Sequence, residues 1–190
     1  MQNTLQKKVA HILTLTIILF AIWFLLSGKL EIKFLVIGFI SSIVISIVCH
    51  PFLTVKNPQT GKTFFIFDIN PFKLLIYSFW LIKEIFKSSI DVMKDIFEFK
   101  NEREPRVVYF SMPYENPIAS VVLANSIILT PGTITIDVSK NGIYEVHALN
   151  ESFAKGLLSG EMQIKIAHLF NEQCEFVPLE QLTYIRKGVK

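Results

Sequence analysis

VAHILTLTIILFAIWFLLS, residues 9–27, carries no charged side chain, and His11 is its only readily ionisable group. At 1.5 Å per residue this stretch makes a helix of roughly 28 Å, about the hydrocarbon thickness of a bilayer. A second run, FLVIGFISSIVISIVC at 34–49, is shorter but equally uncharged. Ile32, Lys33 and His50 extend it towards the headgroups by snorkelling. Only Gly28 to Lys33 separates the two runs, so residues 1–50 read as a transmembrane helical hairpin.

What the hairpin lacks bears on function. Moving an ion or proton through a membrane needs ionisable or strongly polar groups near mid-bilayer, and neither run has one. The departures from bulky apolar chemistry are Thr14, Thr16, Gly38, Ser41, Ser42 and Ser46. Small residues of this kind let helices approach one another closely, which points to an anchor that docks against other helices. Nor is there the internal inverted repeat from which many secondary transporters are built.

The 190 residues leave room for this anchor and one small domain, and the 51% hydrophobic content is concentrated towards the N-terminus. A net charge of +3 with no arginine-rich run argues against nucleic acid as a partner. Two cysteines, Cys49 and Cys174, cannot build a disulfide framework, and no metal-ligand spacing accompanies them, so no cofactor is expected. Lys7 and Lys8 precede the first run as in a signal peptide, but the run is long and no small-x-small cleavage pattern follows, which favours a retained anchor. Lys7, Lys8, Lys56, Lys62 and the many lysines beyond residue 70 outweigh Lys29 and Lys33 in the connection, so both ends are expected on the cytoplasmic side of a cell membrane.

Residues 51–99 read as a loop followed by an amphipathic helix. Asn70 and Pro71 make a cap and a first-turn proline, and a helical pattern continues to about Phe97. Phe72, Leu75, Ile76, Phe79, Ile82, Phe86, Ile90, Met93 and Phe97 form one stripe, with Glu84, Lys87, Asp91, Lys94, Asp95 and Glu98 opposite. Such a helix is expected to lie in the membrane interface, apolar side down. The alternatives are an amphipathic helix packed on the domain or on a partner, and a third span over 64–86, which Asp68, Asn70, Pro71 and Lys73 interrupt.

After the polar break Glu102 to Pro105, residues 100–170 read as a small cytoplasmic α+β domain, with 171–190 as a tail. The expected order is a strand from Arg106 to Met112, a helix from Ile118 to Thr130 capped by Asn116, and a turn at Pro131-Gly132. An alternating strand from Thr133 to Val138, a type I′ turn at Asn141-Gly142 and a strand from Ile143 to Leu149 follow. A last helix is expected over Glu151 to Phe170, weakened by Gly156 and Gly160. This order suggests a ferredoxin-like sandwich.

The block Ala124-Asn125-Ser126-Ile127-Ile128-Leu129-Thr130-Pro131-Gly132-Thr133-Ile134-Thr135-Ile136-Asp137-Val138, followed by Tyr144-Glu145-Val146-His147-Ala148-Leu149, closely resembles the E-type subunit of the Mrp/Mnh-type multisubunit Na⁺(K⁺)/H⁺ antiporters. The hairpin, the lysine-bearing helix with Ile90-Asp91-Val92 and the small domain come in that family's order, while the stretch after about Asn171 lies outside its pattern. The resemblance implies an accessory, non-catalytic subunit of a hetero-oligomeric cation/proton antiporter, with the ion pathways in other subunits. A homologous subunit of a membrane-bound hydrogenase-like complex and a free-standing membrane-tethered regulatory domain are the competing readings.

The candidate chemical residues read as structural. Asp137 and His147 come near register across the hairpin, but no nucleophile, metal motif or phosphate loop accompanies them, so no enzyme is expected. Asn125, Thr130, Pro131, Gly132 and Thr133 are explained by capping and turn chemistry. His11 and Asp68 lie at the membrane edges, where headgroups, capping or solvent suffice for them.

Overall fold

The computed structural model describes residues 2–97 and 105–183. Glu98 and the polar break at Glu102 to Glu104 lie outside them, as does the tail after Thr183. The chain forms two compact units that meet in sequence between Asp68 and Ile69.

The first unit is built on α1 (Gln2–Ser27) and α2 (Ile32–Cys49). Among the described residues these are the two helices long and apolar enough to cross a membrane. Gly38, Ser42 and Ser46 are the buried residues of α2, spaced by four along one face. The Ser42 and Ser46 hydroxyls donate to the carbonyls of Gly38 and Ser42 at 2.7 Å, which satisfies them without a partner helix. A Cβ at Gly38 would lie 2.2 Å from the Trp23 ring, so close packing against α1 requires the smallest residue here.

A short antiparallel pair, β1 (Thr54–Lys56) and β2 (Thr63–Phe65), follows. It brings buried Phe65 onto the His11 ring, with centroids 4.2 Å apart and planes 7° from parallel. His11 Nε2 lies 3.2 Å from Asp68 Oδ2, and the buried His50 ring is 5.7 Å from Phe65. The two groups assigned separately to membrane edges are thus partners, a pairing across 57 positions of sequence (68 − 11) that no local pattern announces.

The second unit runs α3 (Pro71–Phe97), β3 (Arg106–Ser111), α4 (Pro117–Leu129), β4 (Thr133–Val138), β5 (Ile143–Ala148), α5 (Glu151–Leu158), α6 (Glu161–Phe170) and β6 (Val177–Thr183). Its antiparallel sheet has the order β4-β5-β3-β6. Val108 and Phe110 from β3, Met112 just after it, and Tyr144, Val146 and Ala148 from β5 meet Leu123 and Ile127 of α4 and Ile166 of α6 in one buried cluster. Phe110 and Tyr144 stack at 4.9 Å across it.

Three local features depart from the sequence-based expectation. The stretch Glu151 to Phe170 is two helices, because Gly160 takes a φ of +74° and breaks the ladder after Ser159. The residues after Asn171 supply β6, which pairs with β3 and makes it an interior strand. The β4–β5 connection is not a type I′ turn, since among the described residues Asn171 alone has a positive φ without being glycine, and Asn141 therefore does not. Gly142 N donates to Ser139 O at 3.0 Å, Ser139 N to Ile143 O at 2.8 Å, and Gly142 takes the left-handed position at φ +75°. This longer loop sets Asp137 opposite Glu145, and a bulge at Ile136 shifts the register by one more residue, leaving His147 opposite Ile134.

Candidate functional site: an outward apolar helix and the turn that seats it

The helix α3 starts where local chemistry dictates. Asn70 Oδ1 accepts from Phe72 N at 2.9 Å and Lys73 N at 3.4 Å, and Pro71 fills a first-turn position that needs no donor. The side away from the stripe carries the contacts to the rest of the unit, with Tyr77 in the core cluster and Trp80 and Leu81 packed against it. Tyr77 Oη donates to Ser126 Oγ at 2.7 Å, Trp80 Nε1 to Glu161 Oε1 at 3.2 Å, Asn150 Nδ2 to Asp95 Oδ1 at 3.0 Å, and Ser88 Oγ to Pro131 O.

The apolar stripe consequently points away. Phe72 is 77% exposed, Phe79 67%, Phe86 68% and Phe97 70%, with Leu75, Ile82, Ile90 and Met93 exposed along the same line. So α3 does pack on its own domain, but through the side opposite its stripe. An amphipathic helix normally buries its apolar side, and an exposed apolar surface of this length marks contact with lipid or protein. Lys83, Lys87 and Lys94 stand exposed along one edge of the stripe, with Lys87 near Glu84 and Lys94 near Asp91.

The turn after α4 holds this arrangement. Thr130 caps α4, its N–H bonding the carbonyls of Ser126 and Ile127 and its hydroxyl donating to Ser126 O at 2.9 Å. Pro131 O receives the Ser88 hydroxyl of α3. Gly132 takes φ +92°, accepts from Leu149 N at 2.9 Å, and leaves no room for a Cβ, which would lie 2.7 Å from the Phe153 ring of α5. Thr133 Oγ1 donates to Ile127 O at 2.8 Å and Thr135 Oγ1 to Ala124 O at 3.2 Å, so β4 satisfies carbonyls near the end of α4 with its hydroxyls.

The inward face of β4 is therefore the threonine one, and Ile134 and Ile136 are left exposed on an edge strand. Asn125 is exposed on α4 between Val121 and Ile128. The structure thus brings Thr130, Pro131, Gly132 and Thr133 together at one junction, while Asn125, Asp137 and His147 stand apart from it.

Between α3 and the α5–α6 pair lies a cavity of about 330 Å³, lined by Glu84, Asp91, Glu161 and the Thr130 and Thr133 hydroxyl-bearing residues. Gln163 closes it, fully buried, its Nε2 donating to Leu157 O at 3.0 Å. No group of three or more His, Cys, Asp or Glu side chains that could hold a metal occurs among the described residues.

Burial shifts several ionisable groups of this unit towards their neutral forms. Burial pushes the Tyr114 phenol well above the ordinary range and Tyr144 up to about 12. Burial also raises the Glu172 carboxyl, against the opposing pull of the Asn116 and Glu115 N–H groups that it accepts at 2.6 and 2.7 Å. Cys174 is pushed up to about 11, mainly by burial and then by Glu172. At pH 8 that thiol holds roughly a hundredfold less thiolate than an ordinary one. In a Cys49→Ser background, alkylation of Cys174 by iodoacetamide is therefore expected to be slower by about that factor, with a rate still climbing past pH 10. A plateau near pH 9 would show the thiol to be solvated.

An apolar helical hairpin joined to a small α+β unit whose outward helix is greasy defines a subunit of a membrane assembly. The family model described as Na⁺/H⁺ ion antiporter subunit matches residues 16–162. The chain belongs to that family. It is 30% identical over 140 residues to the E1 subunit of the Na(+)/H(+) antiporter of Staphylococcus haemolyticus (strain JCSC1435), covering 73% of this chain and 82% of that one. The corresponding E1 protein of Staphylococcus aureus (strain bovine RF122 / ET3-1) is 30% identical over 142 residues, covering 74% and 83%. Among solved structures, a chain of the membrane-bound sulfane sulfur reductase, an archaeal respiratory membrane complex, matches the fold with a TM-score of 0.61 at 22% identity, covering 84% of this chain and 99% of that chain. The protein is a subunit of a multisubunit antiporter-like complex in a membrane, and other subunits are its partners.

Proposed function

We propose that this chain is an accessory, non-catalytic subunit that stabilises the assembled antiporter. The hairpin docks among the helices of its neighbours, and the α+β unit sits on the cytoplasmic side as a ferredoxin-like domain, with both termini inside. The order strand, helix, strand, strand, a broken helix (α5 and α6) and strand, with the sheet order β4-β5-β3-β6, supports the ferredoxin-like assignment. Thr130, Pro131, Gly132 and Thr133 shape the seat of α3, and Asn125, Asp137 and His147 add polar groups to the outer surface.

The observation that carries this reading is the orientation of α3, which packs on its own domain through Tyr77, Trp80, Leu81 and Ser88 and offers its stripe outward. Laid in the membrane interface, that stripe enters the acyl boundary while the flanking lysines meet lipid phosphates. A strain lacking the chain is expected to lose yield of the assembled complex and tolerance of high cation concentrations together. Native gel analysis of the detergent-extracted complex beside growth in rising Na⁺ checks both, and an intact complex with full antiport would end the accessory reading.

A further inference from the structure

We propose that the groove between α3 and α6 binds the headgroup of an anionic phospholipid. The groove has a volume of about 340 Å³, and its lining contains Lys73, Lys165 and His168 but no carboxylate. Lys165 Nζ stands 5.0 Å over the Trp80 ring and 3.6 Å from Glu161 Oε1, which lies across the indole and neutralises it in part. Lys73 Nζ donates to His168 O at 3.1 Å and to Asn171 Oδ1, which ties the start of α3 to the end of α6 and fixes the spacing of the bases. The two lysines are thus positioned by the fold, and Glu161, the acid paired with Lys165, lies outside the groove's lining.

What selects a lipid over a free anion is the mouth. Ile76 lines the groove and is 70% exposed, and it continues directly into the stripe through Phe72 and Phe79. A phosphodiester seated between Lys165 and His168 would place its glycerol against Trp80 and its acyl chains along Ile76 and the phenylalanines. Indole rings favour this boundary, where one side is apolar and the other polar. Lys83 and Lys87 extend the basic row along the same edge of α3. This inference rests on α3 lying in the membrane interface, as proposed above, and adds to it a defined site with a preference among headgroups.

Trp80 reports on the site, because the chain has two tryptophans and Trp23 lies in α1. The full chain carrying Trp23→Phe, in neutral detergent micelles, is titrated with dihexanoyl phosphatidylglycerol, dihexanoyl phosphatidylcholine and inorganic phosphate. Trp80 emission is expected to saturate at about tenfold lower phosphatidylglycerol than phosphatidylcholine, the scale of one or two lysines acting on an anionic headgroup, and to ignore inorganic phosphate. Lys165→Gln with His168→Gln should remove the preference and leave the phosphatidylcholine response. Equal response to the two lipids, a preference that survives the double substitution, or saturation by inorganic phosphate would each overturn the site. A tryptophan placed by Phe86→Trp in a chain lacking Trp23 and Trp80 tests the underlying orientation separately. Quenching by brominated acyl chains without a headgroup preference removes only the site, and absence of quenching removes the interfacial helix itself.

Discussion

Replacing Phe79 and Phe86 together by glutamate is expected to reduce recovery of the chain in its membrane complex at least a hundredfold while its own domain stays folded. Both side chains are about two-thirds exposed, so neither contributes to the domain's core. In the assembled state each stands to bury a full phenyl ring, about 1.5–3 kcal/mol apiece, and two such losses change an association constant by roughly 10² to 10⁴. Glutamate adds the cost of bringing a carboxylate to an apolar boundary. Quantifying the chain on native gels of the extracted complex, beside its far-ultraviolet circular dichroism and melting temperature, separates docking from folding. Unchanged recovery would show that nothing covers the stripe.

The second large effect lies inside the domain. Gly132→Val is expected to destabilise it by about 3–5 kcal/mol, combining left-handed strain for a β-branched residue with overpacking against Phe153. The φ of +92° and the 2.7 Å approach of a Cβ to the phenyl ring both oppose the substitution, and the ring can move only by disturbing α5. Because Pro131 O anchors Ser88, loosening this turn should also free α3, visible as faster amide exchange along residues 77–90. Gly156→Ala is the matched control: a Cβ there meets nothing within 4 Å, so the helix is expected to gain up to about 1 kcal/mol. Equal melting temperatures for the two variants would contradict this account.

Much of the architecture was legible because its causes are local. Two uncharged runs defined α1 and α2, Asn70-Pro71 defined the start of α3, and Asn116-Pro117 with Thr130-Pro131 bounded α4 to within a residue. Periodicity also separated the faces of α3 and β4, but could not say which face meets which neighbour. That choice belongs to tertiary contacts such as Tyr77 to Ser126 and Thr133 to Ile127.

The Asn141-Gly142 signal was overridden by Ser139, whose hydroxyl accepts from Ile143 N at 3.0 Å and whose backbone closes a longer loop. The strand Val177–Thr183 has Pro178 in it and no clean alternation, so it is a strand only because β3 offers it an edge. Of the candidate site, the Thr130 to Thr133 turn was visible as capping chemistry. The groove beside Trp80 was not, since Lys73 and Lys165 are brought together only by the packing of α3 on α6.

The pairing of β6 with β3 has a consequence for biosynthesis. The strand that completes the sheet is the last of the described strands to emerge from the ribosome, long after the hairpin has met the insertion machinery. Until it arrives, β3 presents an open row of amide and carbonyl groups, the template on which nascent chains aggregate. A polypeptide stalled or clipped before Val177 would thus carry an unpaired sheet edge beside its apolar hairpin, open to pairing with a second chain.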